Sequence, residues 1–157
     1  MEEPLGSHVG NGLEVKEAID VLAGRTGGPL LTVALELGAR MLVLGGAAKD
    51  VPEGKAKMEA ALHSGAGLAK LKEMILAQGG NPACCDDVSA LPQAAVILPC
   101  PALESGYIAS MDTVGLGNAA QTMGAGRRTK EDVIDPAVGF VMNVRIGDRV
   151  SVEDLLA

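Results

Sequence analysis

Aromatic side chains are almost missing from this chain: there is no Trp, and Tyr107 and Phe140 stand alone. Proteins that hold single-stranded nucleic acid stack bases on aromatic rings, so that class of partner is excluded. Positive charge is scarce as well. Lys and Arg number 13 against 20 Asp and Glu, a formal net charge of −7 and an isoelectric point near 4.8. A phosphate-backbone binder shows the opposite balance, with cations gathered on one face. The 3 cysteines, Cys84, Cys85 and Cys100, are odd in number and two are adjacent, which makes no disulfide framework. With no C-x-x-C spacing and 2 His, a structural zinc site is not expected. Free thiols in a reducing cytoplasm are the expectation. No basic, apolar leader opens the sequence and no apolar run reaches membrane-spanning length, so no membrane partner is expected either.

What is present is enough apolar material to fold. Of the 157 residues 48% are hydrophobic and 21% charged, which suits one compact domain or two small ones. The first half reads as helical. Asn11, followed by Glu14, has the layout of a capping box, and Val15, Ala18, Ile19 and Leu22 then recur at helical spacing up to Gly24. A second helix is predicted over Leu30 to Leu44, with Glu36 and Arg40 as an i,i+4 pair and Gly45-Gly46 as its stop. Asp50 and Pro52 mark a third start, with Glu53 and Lys57 as another pair. A fourth helix is predicted over Gly67 to Gln78.

Residues 79–95 lack periodic apolar positions and carry Asn81-Pro82 and Pro92, which predicts an exposed linker. Beyond it come short β-leaning runs: Val96 to Leu98, Gly106 to Ala109, and Val138 to Val144. A short helix, Thr113 to Met123, interrupts them. The expected fold class is therefore α+β. A helical part covers 1–78, the linker 79–95, and a small, barrel-like mixed segment 96–157, as if cut from a larger α/β protein. Both ends have the look of a cut, since Leu155-Leu156-Ala157 closes on an apolar run and Pro4-Leu5-Gly6 follows Met1 closely.

Several lookalike motifs are weaker than they seem. Gly115-Leu116-Gly117-Asn118-Ala119-Ala120 fits G-x-G-x-x-A but lacks a full βαβ unit, and reads better as a small-residue helix. Gly124 to Thr129, with Arg127 and Arg128, has the makings of an anion cradle, yet a helix end with Gly caps and dipole-complementing Arg is the simpler reading. His63 falls at a helix end, where a cation is favoured. Met142-Asn143-Val144 sits where a carrier barrel would display a Lys at a hairpin tip, and holds Asn there instead.

One ordered set of residues matches a known family. Met1-Glu2-Glu3-Pro4-Leu5-Gly6, Val9-Gly10-Asn11, Leu13-Glu14-Val15 and Glu17-Ala18 resemble an interior segment of the pyrimidine-nucleoside and thymidine phosphorylases. The likeness continues through Met41-Leu42, Ala77-Gln78-Gly79, Met111-Asp112-Thr113, Met123 to Arg128, Asp135 to Gly139, and Gly147-Asp148. The resemblance implies an enzyme that cleaves pyrimidine nucleosides with phosphate as co-substrate, giving free base and a pentose 1-phosphate. It also implies a cytoplasmic pyrimidine-salvage enzyme, homodimeric when intact. In that family the phosphate loop and the base-binding groups lie upstream of the matched region. The resemblance therefore assigns no catalytic or substrate-binding residue to 1–157, and no turnover is expected from these residues alone. The alternative is a non-catalytic stand-alone relic, or a binding module that pairs with a separate N-terminal half.

The resemblance also implies a potassium site, to which this region would give the main-chain carbonyls of Leu5 and His8 and the carboxylate of Glu17. The chemistry agrees, because a hard cation prefers oxygen ligands. Residues 5–8 precede the first helix, so their carbonyls are not committed to its hydrogen bonds. Glu17 lies in the second helical turn, and helical side chains lean toward the N-terminus. His8 departs from the small residue usual at its position, which matters little if only its carbonyl binds.

Overall fold

Asp50 begins its helix as its position predicts. In this computed structural model, which describes residues 2–157, its carboxylate accepts the Glu53 N–H at 2.9 Å. The Glu53 carboxylate reaches back to the Lys49 N–H at 3.1 Å, one residue before the cap, so both acids satisfy main-chain donors at this helix start. The chain divides into two compact units: the residues through Lys16 together with Leu91–Ala157, and Glu17–Ala90. Helix α1 (Asn11–Leu22) contributes to both.

Glu17–Ala90 is helical. After the second half of α1 come α2 (Pro29–Leu44), α3 (Val51–His63) and α4 (Ala66–Ala77). The predicted surface pairs form, Arg40 to Glu36 at 2.6 Å and Lys57 to Glu53 at 2.8 Å. Helices α2 and α3 cross at close range because small residues meet there. A Cβ on Gly54 would lie 2.6 Å from the Ala39 carbonyl oxygen, and Ala39 is fully buried. Ile19 and Val21 of α1 are buried too. Two 3-10 turns, Pro82–Cys85 and Val88–Ala90, follow α4. They correct the expectation that Cys84 and Cys85 are exposed: both are buried, and the first of these turns packs against α4.

The other unit builds its sheets from very short pieces. β1 (His8–Val9) pairs antiparallel with β3 (Phe140–Val141). β2 (Gly106–Tyr107) pairs antiparallel with β4 (Arg149–Val150). A bridge joins Pro101 to Leu155, flanked by Ala102 N–H to the Asp154 carbonyl and Leu156 N–H to the Cys100 carbonyl, both 2.8 Å. Helix α5 (Thr113–Ala120) is capped by Asp112, whose carboxylate accepts the Gly115 N–H at 2.8 Å, and runs into a wide turn at Gln121–Ala125.

The α+β class stands, but the barrel-like description does not. The described strands form two separate two-stranded ladders, whereas a barrel needs a staggered sheet that closes on itself. Pro99, Pro101, Pro136, Gly139 and Gly147 interrupt every run before it lengthens. The predicted strand at Val96–Leu98 carries no ladder. Met142-Asn143-Val144 is no hairpin tip, since Met142 N–H bonds Ser7 and Asn143 N–H bonds Leu156.

Candidate functional site

The entry to α1 is held by contacts that span the sequence. Gly10 precedes the helix, and its N–H is accepted by Glu14 Oε1 at 3.2 Å. The Glu half of the predicted capping box therefore exists one residue earlier than its Asn11 start. Asn11 instead sends its side-chain amide to the Ala125 carbonyl at 2.7 Å. Gly10 and Gly139 pass one another so closely that a Cβ on Gly139 would lie 2.0 Å from the Val9 carbonyl oxygen. Gly139 has φ +155°, a backbone geometry that glycine alone adopts without strain.

Upstream of β1, Arg145 fixes the segment around Leu5. Its guanidinium donates to the Pro4 carbonyl and to the Leu5 carbonyl at 3.3 Å. Glu3 accompanies it, 3.9 Å from the guanidinium and accepting the Ile146 N–H at 3.0 Å. The Arg145 N–H is in turn accepted by Asp148 at 2.7 Å. The sequence reading missed Arg145, because nothing local in a sequence reveals a partner some 140 positions away. His8 faces Val141, and Met142 N–H bonds the Ser7 carbonyl at 2.7 Å. In antiparallel pairing this makes His8 and Val141 the pair that exchanges no bonds, so the His8 carbonyl is directed away from β3.

Leu5 and His8 thus lie in one compact unit, with their carbonyls on irregular or strand-edge backbone. Glu17 lies in α1 within the other unit. It is 6% exposed and is the buried charged residue among those described. The surface carboxylate that composition alone suggests is therefore not what is found. Among the described residues no group of three or more His, Cys, Asp and Glu side chains could hold a metal ion, so any cation held here would rely on main-chain oxygen.

The remaining candidates resolve as structural features. Gly115 lies inside α5, with its N–H already taken by Asp112. The Arg128 and Thr129 N–H groups, which an anion cradle would need, are accepted by Asp132 at 2.8 Å and 3.1 Å. These bonds hold the Asp132 carboxyl below its ordinary range. His63 closes α3 as expected. Burial, reinforced by neighbouring Cys84, pushes the Cys85 thiol up, which leaves it a poor nucleophile. An apolar cavity of about 600 Å³ also opens in the unit containing Leu91–Ala157, between the Val96–Cys100 segment, Phe140 and Leu155. No helix among the described residues is long and apolar enough to cross a membrane.

Comparison with known proteins bears on both ends of this chain. Residues 107–157 match a family described as the pyrimidine nucleoside phosphorylase C-terminal domain. The chain is 44% identical over 150 residues to a pyrimidine-nucleoside phosphorylase of Bacillus subtilis (strain 168), covering 96% of this chain and 35% of the relative. It is 43% identical over 150 residues to the pyrimidine-nucleoside phosphorylase of Staphylococcus aureus (strain USA300), with the same coverage. The chain therefore spans about a third of the length of these curated relatives.

Proposed function

We propose that this chain, which belongs to the pyrimidine-nucleoside phosphorylase family, supplies the C-terminal part of an enzyme that splits pyrimidine nucleosides with phosphate. The products would be free base and ribose or deoxyribose 1-phosphate. The observation that carries this reading is the 44% identity, sustained over 96% of the chain. In such a reaction positive charge develops on the sugar as the base departs. The enzyme must hold a phosphate nucleophile and cradle the leaving base. Among the described residues the anion cradle suggested at Gly124 to Thr129 is closed, since the Arg128 and Thr129 N–H donors are already engaged by Asp132. The part of this chain in the enzyme is support, and alone it is inactive.

A potassium ion belongs to the same proposal. The Leu5 and His8 carbonyls and the Glu17 carboxylate would be its ligands from this region. The support for it is the family resemblance together with the preference of a hard cation for oxygen ligands, and the ion would contribute fixed positive charge near the phosphate. The intact enzyme is proposed to be a cytoplasmic homodimer. The test is phosphorolysis by the pure chain, with thymidine or uridine, phosphate and potassium, following release of free base. No release is expected. Turnover by the chain alone would place the active site within these residues and overturn the reading.

A further inference from the structure

Residues 3–9 lie along residues 140–146 in one antiparallel register. Val9 faces Phe140 and His8 faces Val141, and the Met142 N–H bonds the Ser7 carbonyl at 2.7 Å. Bonded pairs recur at every second residue of such a ladder, so the next donor in register is the Val144 N–H and its acceptor the Leu5 carbonyl. Among the described residues that main-chain bond is not made. Side chains carry the register on instead. The Arg145 guanidinium donates to the Pro4 carbonyl and to the Leu5 carbonyl at 3.3 Å, and the Glu3 carboxylate accepts the Ile146 N–H at 3.0 Å.

Arg145 is itself held on a fixed turn. Asp148 accepts its N–H at 2.7 Å and returns its own N–H to the Arg145 carbonyl at 3.1 Å. The turn is tied to Ile108 from both directions, by Gly147 N–H to the Ile108 carbonyl at 2.8 Å and Ile108 N–H to the Asp148 carbonyl at 2.9 Å. The Arg145 side chain is 22% exposed, with the Glu3 carboxylate 3.9 Å from it to offset its charge. A planar guanidinium on such a base loses little freedom in bonding two successive carbonyls. A carbonyl oxygen has two lone pairs, so this donor leaves the Leu5 oxygen able to accept a second partner.

We infer that Arg145 is a positioning residue for the Leu5 carbonyl: its guanidinium replaces the missing ladder bond and holds that oxygen in line before a cation arrives. The inference rests on the potassium proposal of the preceding subsection. An oxygen held in advance lowers the ordering cost of binding, so Arg145 acts on the cation through the carbonyl and not by touching it.

The test uses a chimera in which these 157 residues replace the matching segment of the Bacillus subtilis phosphorylase. Two readouts are taken at constant ionic strength: the potassium concentration for half-maximal rate and, with no turnover involved, the rise of the thermal midpoint with potassium. Arg145→Met is expected to raise the potassium concentration needed in both by about tenfold, the usual effect of removing a group that orients a ligand. Arg145→Lys keeps the charge and a donor but cannot span two carbonyls; it is expected to fall between, and it carries the test if Arg145→Met does not fold. Variants that need the same potassium as the unsubstituted chimera in both readouts, whatever their rates, would overturn the positioning role and leave the potassium reading standing. An active unsubstituted chimera whose rate and melting both ignore potassium would overturn the potassium reading and this role with it.

Discussion

At the scale of single residues, two positions carry most of the argument. Glu17 is a carboxylate that folding has taken out of water, and the proposal makes it one ligand of a potassium ion. In a reconstituted enzyme, Glu17→Gln keeps the shape and removes the charge. The potassium concentration for half-maximal activation is expected to rise about tenfold, the equivalent of about 1.4 kcal/mol. A potassium titration of initial rates checks this, and an unchanged titration would remove Glu17 from the ligand set. Gly139 is the other. Its φ of +155° and the 2.0 Å approach to the Val9 carbonyl leave no room for a Cβ. Gly139→Ala is expected to destabilise the chain by about 1–3 kcal/mol, read from urea unfolding. The sequence marked Gly139 only as part of a matched block, because a contact with Val9 across 130 positions has no local signature.

At the scale of elements, the helices were legible and the sheets were not. The start of α3 had a local cause written in adjacent residues, Asp50 with Glu53. Asp50→Ala is therefore expected to cost about 1 kcal/mol, measurable by thermal unfolding of the chain. The strands had no such cause. Val96–Leu98 has the right composition for a strand but forms no ladder among the described residues, and composition says nothing of partners. Cys84 and Cys85 looked exposed because Asp86 and Asp87 flank them, yet packing against α4 decides their burial. The proposed potassium ligands rest on family resemblance alone; from residue types, Glu17 is an ordinary helical acid.

Asp132 belongs to this scale too, since it closes the turn that follows α5. Its carboxylate accepts the Arg128 and Thr129 N–H groups and the Thr129 hydroxyl, which depresses its pKa in the folded state. The linkage sign follows. The turn's stabilisation is complete above the unfolded value of about 3.9 and is lost as pH falls through the lower folded value. The Arg128 and Thr129 amide resonances are expected to titrate together below about pH 4, and Asp132→Asn is expected to remove that titration. Amides that stay flat to lower pH would show that the carboxylate does not hold the turn.

At the scale of the whole molecule, the apolar side chains that each unit leaves in water stand out. Leu37, Met41 and Leu44 form an exposed apolar row along α2, and Val96 to Leu98 form another exposed run. Exposed apolar rows of this kind mark surface that commonly meets a partner, and the match spans 35% of its relatives. The most direct measurement is a chimera in which these 157 residues replace the matching segment of the Bacillus subtilis phosphorylase. The account expects a folded protein that releases free base from thymidine or uridine with phosphate. A chimera that folds and assembles like its parent, yet yields no base, would contradict it.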